Sequence, residues 1–343
     1  MTLNSELPFI SVIIPVLNEE VYIDDLFKSL ISQTYPQEKM EIIFIDGYSE
    51  DKTVHKIIEN QTKYNLNVKI LYNVKKSTPI SLNIGIQNSK GSYIVRLDAH
   101  SQYNDEYIYT GINEMMKNEE LVAVGGYLIV LPSQNTTRAK ITAAIFKSFF
   151  GSGFSKYRLN KLNKSETKIT DTVPYGIFRK DQLIQVGGFD EKLIRGQDID
   201  LYYRLKKKFS GYVLIHRDMY IYYKLKANNA WELFKRQYKQ GKWVFKRKEG
   251  ILARHYLPLI ALPLLIILIL LIFNLFYILV FFYILICSFF YIIEIETLKD
   301  IYFLPYAIYT FFLNHLGFLL GVVISFFMNF KNLFKVTSYN HSS

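Results

Sequence analysis

Apolar runs alternate with amphipathic stretches along the first hundred residues of the chain. Continuous apolar runs of five to eight residues are typical of strands buried on both faces of a sheet, and the intervening 3.6-residue spacing is typical of helices. The predicted strands are residues 9–16, 41–46, 68–72 and 93–97. We expect Asn18 and Ser49 to cap the first two helices. The alternation predicts an α/β fold with a mostly parallel, Rossmann-like sheet flanked by helices.

The C-terminal part follows another pattern. No charged residue occurs in Leu257–Ile293 or in Ile301–Phe330. The first stretch is too long for one crossing of a hydrocarbon core of about 30 Å, so we expect two spans separated near Asn274. The predicted organisation is a globular domain at 1–227, a basic juxtamembrane helix at 228–254, a transmembrane region at 255–330 and a tail at 331–343. Three spans are favoured, with two to four compatible with the pattern.

Charge predicts the orientation in the membrane. The net charge is +11, and eight bases precede the first apolar stretch: Lys235, Arg236, Lys239, Lys242, Lys246, Arg247, Lys248 and Arg254. By the positive-inside rule they place the globular domain in the cytoplasm of a multi-pass plasma-membrane protein. No nucleic-acid motif accompanies them, so we expect no nucleic-acid partner. The single cysteine, Cys287, forms no disulfide within the chain.

Two acids fall at the ends of predicted strands. Ligands bind parallel sheets at the carboxyl ends of the strands, so Asp46 and Asp98 are candidate site residues. The alternatives are a turn at Asp46-Gly47 and an acid that caps the turn after Asp98. Neither the glycine-rich dinucleotide fingerprint nor a phosphate-binding loop with its lysine occurs in the chain, which excludes nicotinamide enzymes and P-loop nucleotidases.

Several motifs, taken in order, carry a family resemblance. They are Ser11-Val12-Ile13-Ile14-Pro15-Val16-Leu17-Asn18-Glu19-Glu20, Asn83-Ile84-Gly85, Arg96-Leu97-Asp98-Ala99-His100, Gly187-Gly188-Phe189-Asp190-Glu191 and Gln197-Asp198-Ile199-Asp200. The chain resembles the inverting family-2 glycosyltransferases, especially bacterial succinoglycan and exopolysaccharide enzymes. The resemblance implies the GT-A fold, covers roughly residues 9–250, and implies transfer of a sugar from a nucleotide donor.

The resemblance also implies a divalent metal. The family's Asp-x-Asp motif aligns with Asp98 and His100, so these are the expected ligands of Mn²⁺ or Mg²⁺. Imidazole suits manganese better than magnesium, which leaves the choice of metal open. For His100, an ordinary loop histidine is the alternative.

The nucleotide site follows from the same resemblance. Asp46 is expected to contact the base or ribose, with Asp98 nearby and Pro15, Val16, Asn18 and Glu19 forming the other wall. A UDP-sugar is the favoured donor. Gly47 stands where the family often has a second acid, which weakens any prediction of the base.

Asp198 matches the family's catalytic base, which takes the proton of the acceptor hydroxyl. Gln197 replaces the acid usual before it. Asp200 lies two residues on and points to another helical face, so we favour Asp198. An acid that merely begins a helix is the alternative.

The basic helix bears on processivity. Arg236, Gln237 and Trp243 lie where processive synthases have Gln-x-x-Arg-Trp, but their spacing differs. We therefore expect a non-processive enzyme, with these three residues as candidates for contacts to diphosphate or acceptor. The expected acceptor is a polyprenyl-diphosphate-linked saccharide in the synthesis of exopolysaccharide, capsule or cell-envelope glycan. The alternatives are transfer onto a polyprenyl phosphate and an inactive membrane scaffold.

Overall fold

The computed structural model describes residues 7–153, 157–159, 166–193, 195–246, 256–271, 273–295 and 298–335. The chain divides into two compact units. We call Met1–Ile129 with Lys161–Lys224 the sheet unit, and Val130–Asn160 with Leu225–Ser343 the helical unit. The segment from Val130 to Asn160 groups with the C-terminal helices, whereas the sequence analysis included it in the globular domain at 1–227. The predicted domain boundaries stay predictions, and residues 247–255 and 336–343 lie outside the described part.

The first half of the sheet unit is a parallel sheet. Its elements are β1 (Ile10–Val16), α1 (Glu20–Ile31), β2 (Met40–Asp46), α2 (Thr53–Tyr64), β3 (Val68–Tyr72), α3 (Thr78–Asn88) and β4 (Tyr93–Arg96). β1 pairs in parallel with both β2 and β4, and β2 pairs in parallel with β3. Every residue of β2 is buried, as expected for a strand covered by helices on both faces. The prediction of a parallel α/β sheet is confirmed.

The second half adds mixed strands and further helices. The chain continues through β5 (Ser101–Tyr103), α4 (Tyr107–Lys117), β6 (Leu121–Pro132), α5 (Thr137–Lys147), β7 (Arg158–Leu159), β8 (Lys168–Thr170), β9 (Ile177–Arg179), α6 (Lys180–Gln185), α7 (Gln197–Phe209) and β10 (Tyr212–Leu225). β9 pairs antiparallel with β4. The sheet order is β3-β2-β1-β4-β9-β6-β10-β5. The short strands β5, β7, β8 and β9 lack the long apolar runs that predict strands, and the long strands β6 and β10 were not predicted either.

Both predicted helix caps are wrong. α1 begins at Glu20 after Glu19, and α2 begins at Thr53 after Lys52. Neither helix has a side-chain hydrogen bond from its N-cap residue. The Asn18 side chain instead accepts a hydrogen bond from the backbone N–H of Glu50, 2.9 Å away. Long-range contacts between the two loops take the side chains that local capping would have used.

The C-terminal elements are α8 (Ala230–Gly241), α9 (Leu257–Leu271), α10 (Phe273–Glu294) and α11 (Leu304–Lys335). α9 ends and α10 begins close to the separation expected at Asn274. Among the described residues, two segments are long and apolar enough to cross a membrane, Phe276–Glu294 and Asp300–Met328. The preference for three spans stays a prediction.

α5 belongs to this helical unit and contacts α8, α10 and α11. Lys147 at its end lies 3.3 Å from the buried carboxylate of Glu294. The following turn is held by α11, where Asn314 donates to the carbonyl of Gly151 at 2.9 Å and the His315 ring contacts that of Phe150. Polar groups within an apolar stretch therefore hold this turn against the C-terminal helices.

Candidate active site

The carboxyl ends of the first three strands lie in register. Val16 pairs with Asp46, and Asp46 pairs with Tyr72. The last residues of β1 and β2 therefore lie side by side, as the sequence predicted for Val16 and Asp46. β4 ends at Arg96, one residue before the predicted end of this strand and two residues before Asp98. The edge also carries an exposed aromatic pair, Tyr48 and Tyr72, whose rings are 5.6 Å apart.

Asp46 holds the turn that follows β2. Its carboxylate accepts from the backbone N–H of Ser49 at 3.0 Å and from the Ser49 hydroxyl at 2.6 Å. The side chain is only 1% exposed. Each carboxylate oxygen has a further lone pair that can accept another donor. Asp46 thus serves the turn proposed as its alternative role, and its nucleotide contact stays a prediction.

The loop after β1 is joined to the loop after β2. Asn18, at a positive φ of 54°, donates its backbone N–H to the Ser49 hydroxyl, while the Glu19 N–H donates to Thr53 at 2.8 Å. Pro15, one strand position before Val16, is half-buried. These bonds fix the wall predicted from the family motif at one position relative to Asp46.

Asp98 lies in a tight turn beyond β4. Its backbone N–H donates to the hydroxyl oxygen of Tyr103 at 2.8 Å, and its side chain is 19% exposed. Tyr103 is itself anchored to α1 through two hydrogen bonds with Ser29. The carboxylate is therefore accessible while its backbone is fixed, as a ligand-binding residue requires.

Arg96 connects two candidate residues that are far apart in sequence. Its guanidinium forms a salt bridge with Asp198 and lies 3.6 Å from the carboxylate of Asp98. The rings of Tyr175 and Phe189 lie beneath it, 5.5 and 5.9 Å from the guanidinium carbon. Arg96 thereby brings the end of β4 and the start of α7 into one charged centre.

The family motifs beside Arg96 hold its surroundings. Asn83 on α3 donates its amide N–H to the carbonyl of Phe189 and accepts from the Phe189 N–H. Gly85, two residues further along α3, has no room for a Cβ, which would lie 2.5 Å from the Ile13 side chain. Asn83 and Gly85 therefore place α3 on the sheet and Phe189 against the guanidinium.

Burial and charge act in opposite directions in this centre. Burial alone would lower the pKa of Arg96, but the carboxylates of Asp198 and Asp98 more than offset it and raise that pKa. Burial also raises the pKa of Asp198; the Arg96 guanidinium opposes this and Asp98 adds to it. The centre thus keeps Arg96 charged and makes the Asp198 carboxylate more basic than an ordinary aspartate.

Asp198 and Asp200 differ in their partners. Asp200 is 3% exposed and accepts from Arg204 Nε at 2.8 Å within α7. Asp198, in the first turn of α7, keeps 31% of its side chain exposed. A base that must meet an incoming hydroxyl needs that access, so the geometry favours Asp198.

His100 fits a metal site of a particular kind. Its buried Nδ1 atom has no hydrogen-bond partner and lies 3.5 Å from the Glu19 carboxylate. The described residues contain no group of three or more ionisable ligands placed to enclose an ion. Mn²⁺ or Mg²⁺ needs no such group when it takes one or two protein ligands and completes its coordination shell with phosphate and water. The donors of Asp98 and His100 suit that arrangement.

The three residues of the basic segment lie in the helical unit. Gln237 donates to Asn314 on α11 at 2.8 Å, and the guanidinium carbon of Arg236 lies 5.1 Å from the centre of the Phe146 ring. Trp243 follows α8 and is half-buried. The contacts of Gln237 and Arg236 serve packing within this unit, and the predicted ligand contacts of all three stay predictions.

Sequence reasoning missed Arg96 and Tyr103 as site residues. Arg96 begins the motif Arg96-Leu97-Asp98-Ala99-His100, but the sequence analysis assigned no function to it. Side chains two residues apart in an extended chain share a face, so its spacing from Asp98 was a usable signal. No local signal indicates the pairing with Asp198, which lies 102 residues further on.

The mostly parallel sheet with an antiparallel extension, flanked by helices and followed by apolar helices, defines a GT-A glycosyltransferase fold. A solved structure of the mannosyltransferase PcManGT from Pyrobaculum calidifontis, in complex with GDP-Man and Mn²⁺, has the same fold at a TM-score of 0.57. The two share 14% identity over 92% of this chain and 88% of that one.

The chain belongs to glycosyl transferase family 2, whose sequence profile matches residues 11–186. A Methanococcus voltae relative is 32% identical over 58% of this chain and 62% of its own length. Its name is dolichyl N-acetyl-alpha-D-glucosaminyl phosphate 3-beta-D-2,3-diacetamido-2,3-dideoxy-beta-D-glucuronosyltransferase. Succinoglycan biosynthesis protein ExoA of Rhizobium meliloti is 28% identical over 59% of this chain and 58% of its own. The chain thus spans about three fifths of both relatives, and the predicted family is confirmed.

Proposed function

We propose that this protein is an inverting, non-processive glycosyltransferase that transfers one sugar from a nucleotide donor to a hydroxyl of a lipid-linked saccharide. Membership of family 2 supports the reaction class. The name of the Methanococcus voltae relative describes transfer to a sugar carried on dolichyl phosphate, which supports a lipid-linked acceptor. The relative named for succinoglycan biosynthesis supports a role in exopolysaccharide, capsule or envelope glycan. A polyprenyl diphosphate carrier remains our specific proposal.

One observation carries the proposal, namely the centre in which Arg96 contacts both Asp98 and Asp198. Transfer with inversion needs a site for the departing diphosphate and, across the sugar, a base for the acceptor hydroxyl. Asp98 and Asp198 supply candidates for these two roles. The shared guanidinium keeps them close without leaving their charges unpaired in a buried site.

Asp198 performs the proton transfer. As the acceptor oxygen forms its bond to the anomeric carbon, the bond from that carbon to the diphosphate oxygen breaks. The hydroxyl proton passes to a carboxylate oxygen of Asp198, and the nucleoside diphosphate leaves with the bonding electron pair. The raised pKa of Asp198 favours this transfer, because a more basic carboxylate is a better proton acceptor.

The donor site lies along the carboxyl edge of β1 and β2. Asp46 contacts the base or ribose, with Pro15, Val16, Asn18 and Glu19 opposite it and a UDP-sugar as the favoured donor. Asp98 and His100 would hold Mn²⁺ or Mg²⁺. Such an ion supplies Lewis-acid stabilisation of the charge on the departing diphosphate. The solved mannosyltransferase, which contains GDP-Man and Mn²⁺, supports a divalent ion and leaves the base open.

A lipid-linked acceptor explains the apolar C-terminal helices. We place the protein in the plasma membrane with the sheet unit on the cytoplasmic side, where nucleotide sugars are made. The basic residues before α9 support this orientation through the positive-inside rule. Of these, Lys235, Arg236 and Lys239 lie on α8.

The test compares two aspartate variants of the full chain. Purified protein is incubated with Mn²⁺, a panel of sugar nucleotides and a polyprenyl-diphosphate-linked saccharide. Asp198→Asn should abolish transfer while donor binding is kept. Asp200→Asn, the matched control in the same helix, should keep kcat within about tenfold of the wild type, because its carboxylate binds Arg204 and does not meet the acceptor. Equal transfer by Asp198→Asn and the wild type would refute the base assignment.

Two further outcomes separate the alternatives. A product sugar released by mild acid as a phosphodiester would show transfer onto polyprenyl phosphate instead of onto a hydroxyl. Failure of every donor to turn over would favour the inactive scaffold.

A further inference from the structure

α8 lies alongside α11 over most of the second candidate span. The backbone N–H of Ala230 donates to the hydroxyl of Tyr306 at 3.1 Å, and further along Phe245 N–H donates to Ser325 at 3.1 Å. Between them, Gln237 donates to Asn314. These contacts follow one another in the same order along both segments. α8 and the turn after it therefore run parallel to α11 over about 28 Å.

Glycines bring the two backbones together. A Cβ on Gly321 would lie 2.4 Å from the carbonyl oxygen of Tyr238, and one on Gly241 would lie 2.5 Å from that of Phe318. A Cβ on Gly317 would likewise meet the carbonyl oxygen of Phe234, at 2.6 Å. The small-xxx-small spacing on α11, often a helix-dimer face in membranes, is therefore occupied within this chain by α8.

The composition of α8 limits the depth of this pair. The twelve residues of α8 include Glu232, Lys235, Arg236 and Lys239, and the two lysines are exposed. A Lys or Arg at the centre of a bilayer is strongly unfavourable, because its charge loses the hydration it has in water. A helix with three such residues therefore belongs at the headgroup level, and the long stretch of α11 packed beside it belongs there too.

α11 has a face suited to that depth. One side contacts α8, and another contacts the turn after α5 through Phe311 and His315. The remaining third exposes Tyr309, Leu320 and Phe327, which lie in one line at helical spacing. A stripe of aromatic and aliphatic side chains beside a basic helix is typical of helices that lie in the membrane interface.

α10 differs on each of these points. In the candidate span Phe276–Glu294 only 11% of residues are buried within the protein, compared with 39% in Asp300–Met328. No charged residue occurs from Phe273 to Ile293. α10 therefore presents an apolar surface on most of its circumference, as a helix surrounded by lipid does.

We propose that α8 and α11 together form a platform that lies in the headgroup layer of an anionic bilayer, whereas α10 enters the hydrocarbon. Exposed Lys235 and Lys239 face anionic headgroups, and Tyr309, Leu320 and Phe327 enter the outer acyl region. This assignment concerns how the chain lies in the membrane, and it holds whichever sugar is transferred.

The first test is topological and needs no activity. Single cysteines are placed just before α11 and near its end, as Tyr302→Cys and Met328→Cys, in full-length Cys287→Ser protein. Both positions are exposed, at 84% and 59%. A membrane-impermeant maleimide should label both from the same side of sealed vesicles. Labelling of the two cysteines from opposite sides would overturn the proposal, because α11 would then cross the bilayer.

The second test measures depth and charge dependence. A fluorophore on Leu320→Cys should be quenched by lipids brominated near the headgroup, whereas one on Phe281→Cys in α10 should be quenched by lipids brominated near the chain ends. In vesicles containing phosphatidylglycerol, the double variant Lys235→Gln with Lys239→Gln should lower the membrane partition coefficient reported by the fluorophore at position 320. The expected decrease is about fivefold for each lysine removed. Lys52→Gln with Lys63→Gln removes equal charge from the sheet unit and should change nothing. Deep quenching at Leu320, or equal effects of both pairs, would refute the platform.

Discussion

Loss of the Arg96 guanidinium is the sharpest test of the charged centre. The side chain is 7% exposed and is the shared cation of Asp98 and Asp198. Arg96→Met would leave both carboxylates near each other with no counter-charge. Breaking a buried pair in this way costs about 3–5 kcal/mol of unfolding free energy, because the remaining charge stays desolvated. Arg96→Lys should cost less, since one ammonium restores the charge but cannot span both partners in a fork.

A matched arginine in the same unit supplies the control. Arg217 is 65% exposed and lies 3.5 Å from Asp218, itself 58% exposed. Because water screens that pair, Arg217→Met should cost no more than about 1 kcal/mol. Pulse proteolysis in urea, applied to the full chain in detergent, reports the free energy of opening of the sheet unit for both variants.

A double-mutant cycle isolates the contact. Asp198→Asn removes one of the two orphaned charges, so in the Arg96→Met background it should cost less than in the wild type. We expect a coupling free energy of about 1–3 kcal/mol. Additivity within about 0.5 kcal/mol, or equal losses in Arg96→Met and Arg217→Met, would refute the account of Arg96 as the cation shared by this centre.

Three further predictions concern pH, metal and packing. Because burial raises the pKa of Asp198, the acid limb of the pH profile of kcat/KM should lie above the ordinary aspartate pKa of about 3.9. Activity falls along this limb because the carboxylate gains its proton. A limb at the ordinary value would contradict the assignment. Asp98→Ala should raise the Mn²⁺ concentration needed for half-maximal activity at least about tenfold. Half-maximal Mn²⁺ binding, measured by electron paramagnetic resonance, should shift by the same factor. Unchanged titrations would show that Asp98 is not a ligand of the metal. Gly321→Ala should lower the free energy of unfolding of the helical unit by about 1–3 kcal/mol, because its Cβ would meet the Tyr238 carbonyl oxygen 2.4 Å away. Leu320→Ala on the exposed face is the control and should be near neutral. Equal effects of the two variants in thermal unfolding would argue against close α8–α11 packing.

The sequence by itself determined the parallel half of the sheet. Strands buried on both faces need unbroken apolar runs, and such runs are visible without any tertiary information. The position of Asp46 followed because it ends such a run. Asp98 was found by the same reasoning, although β4 stops two residues before it. The short strands after β4 are held by neighbours in the sheet, so their own residues carry little signal.

The tertiary structure alone decided which charged groups meet. The salt bridge from Arg96 to Asp198 joins residues 102 positions apart, and the hydrogen bonds from α8 to α11 join residues 76 and 77 positions apart. Local periodicity reports which face of an element is apolar, not which distant element covers it. For the same reason the sequence predicted both a basic helix at 228–254 and a span within Ile301–Phe330, whereas the packing of α8 against α11 became visible only in the fold.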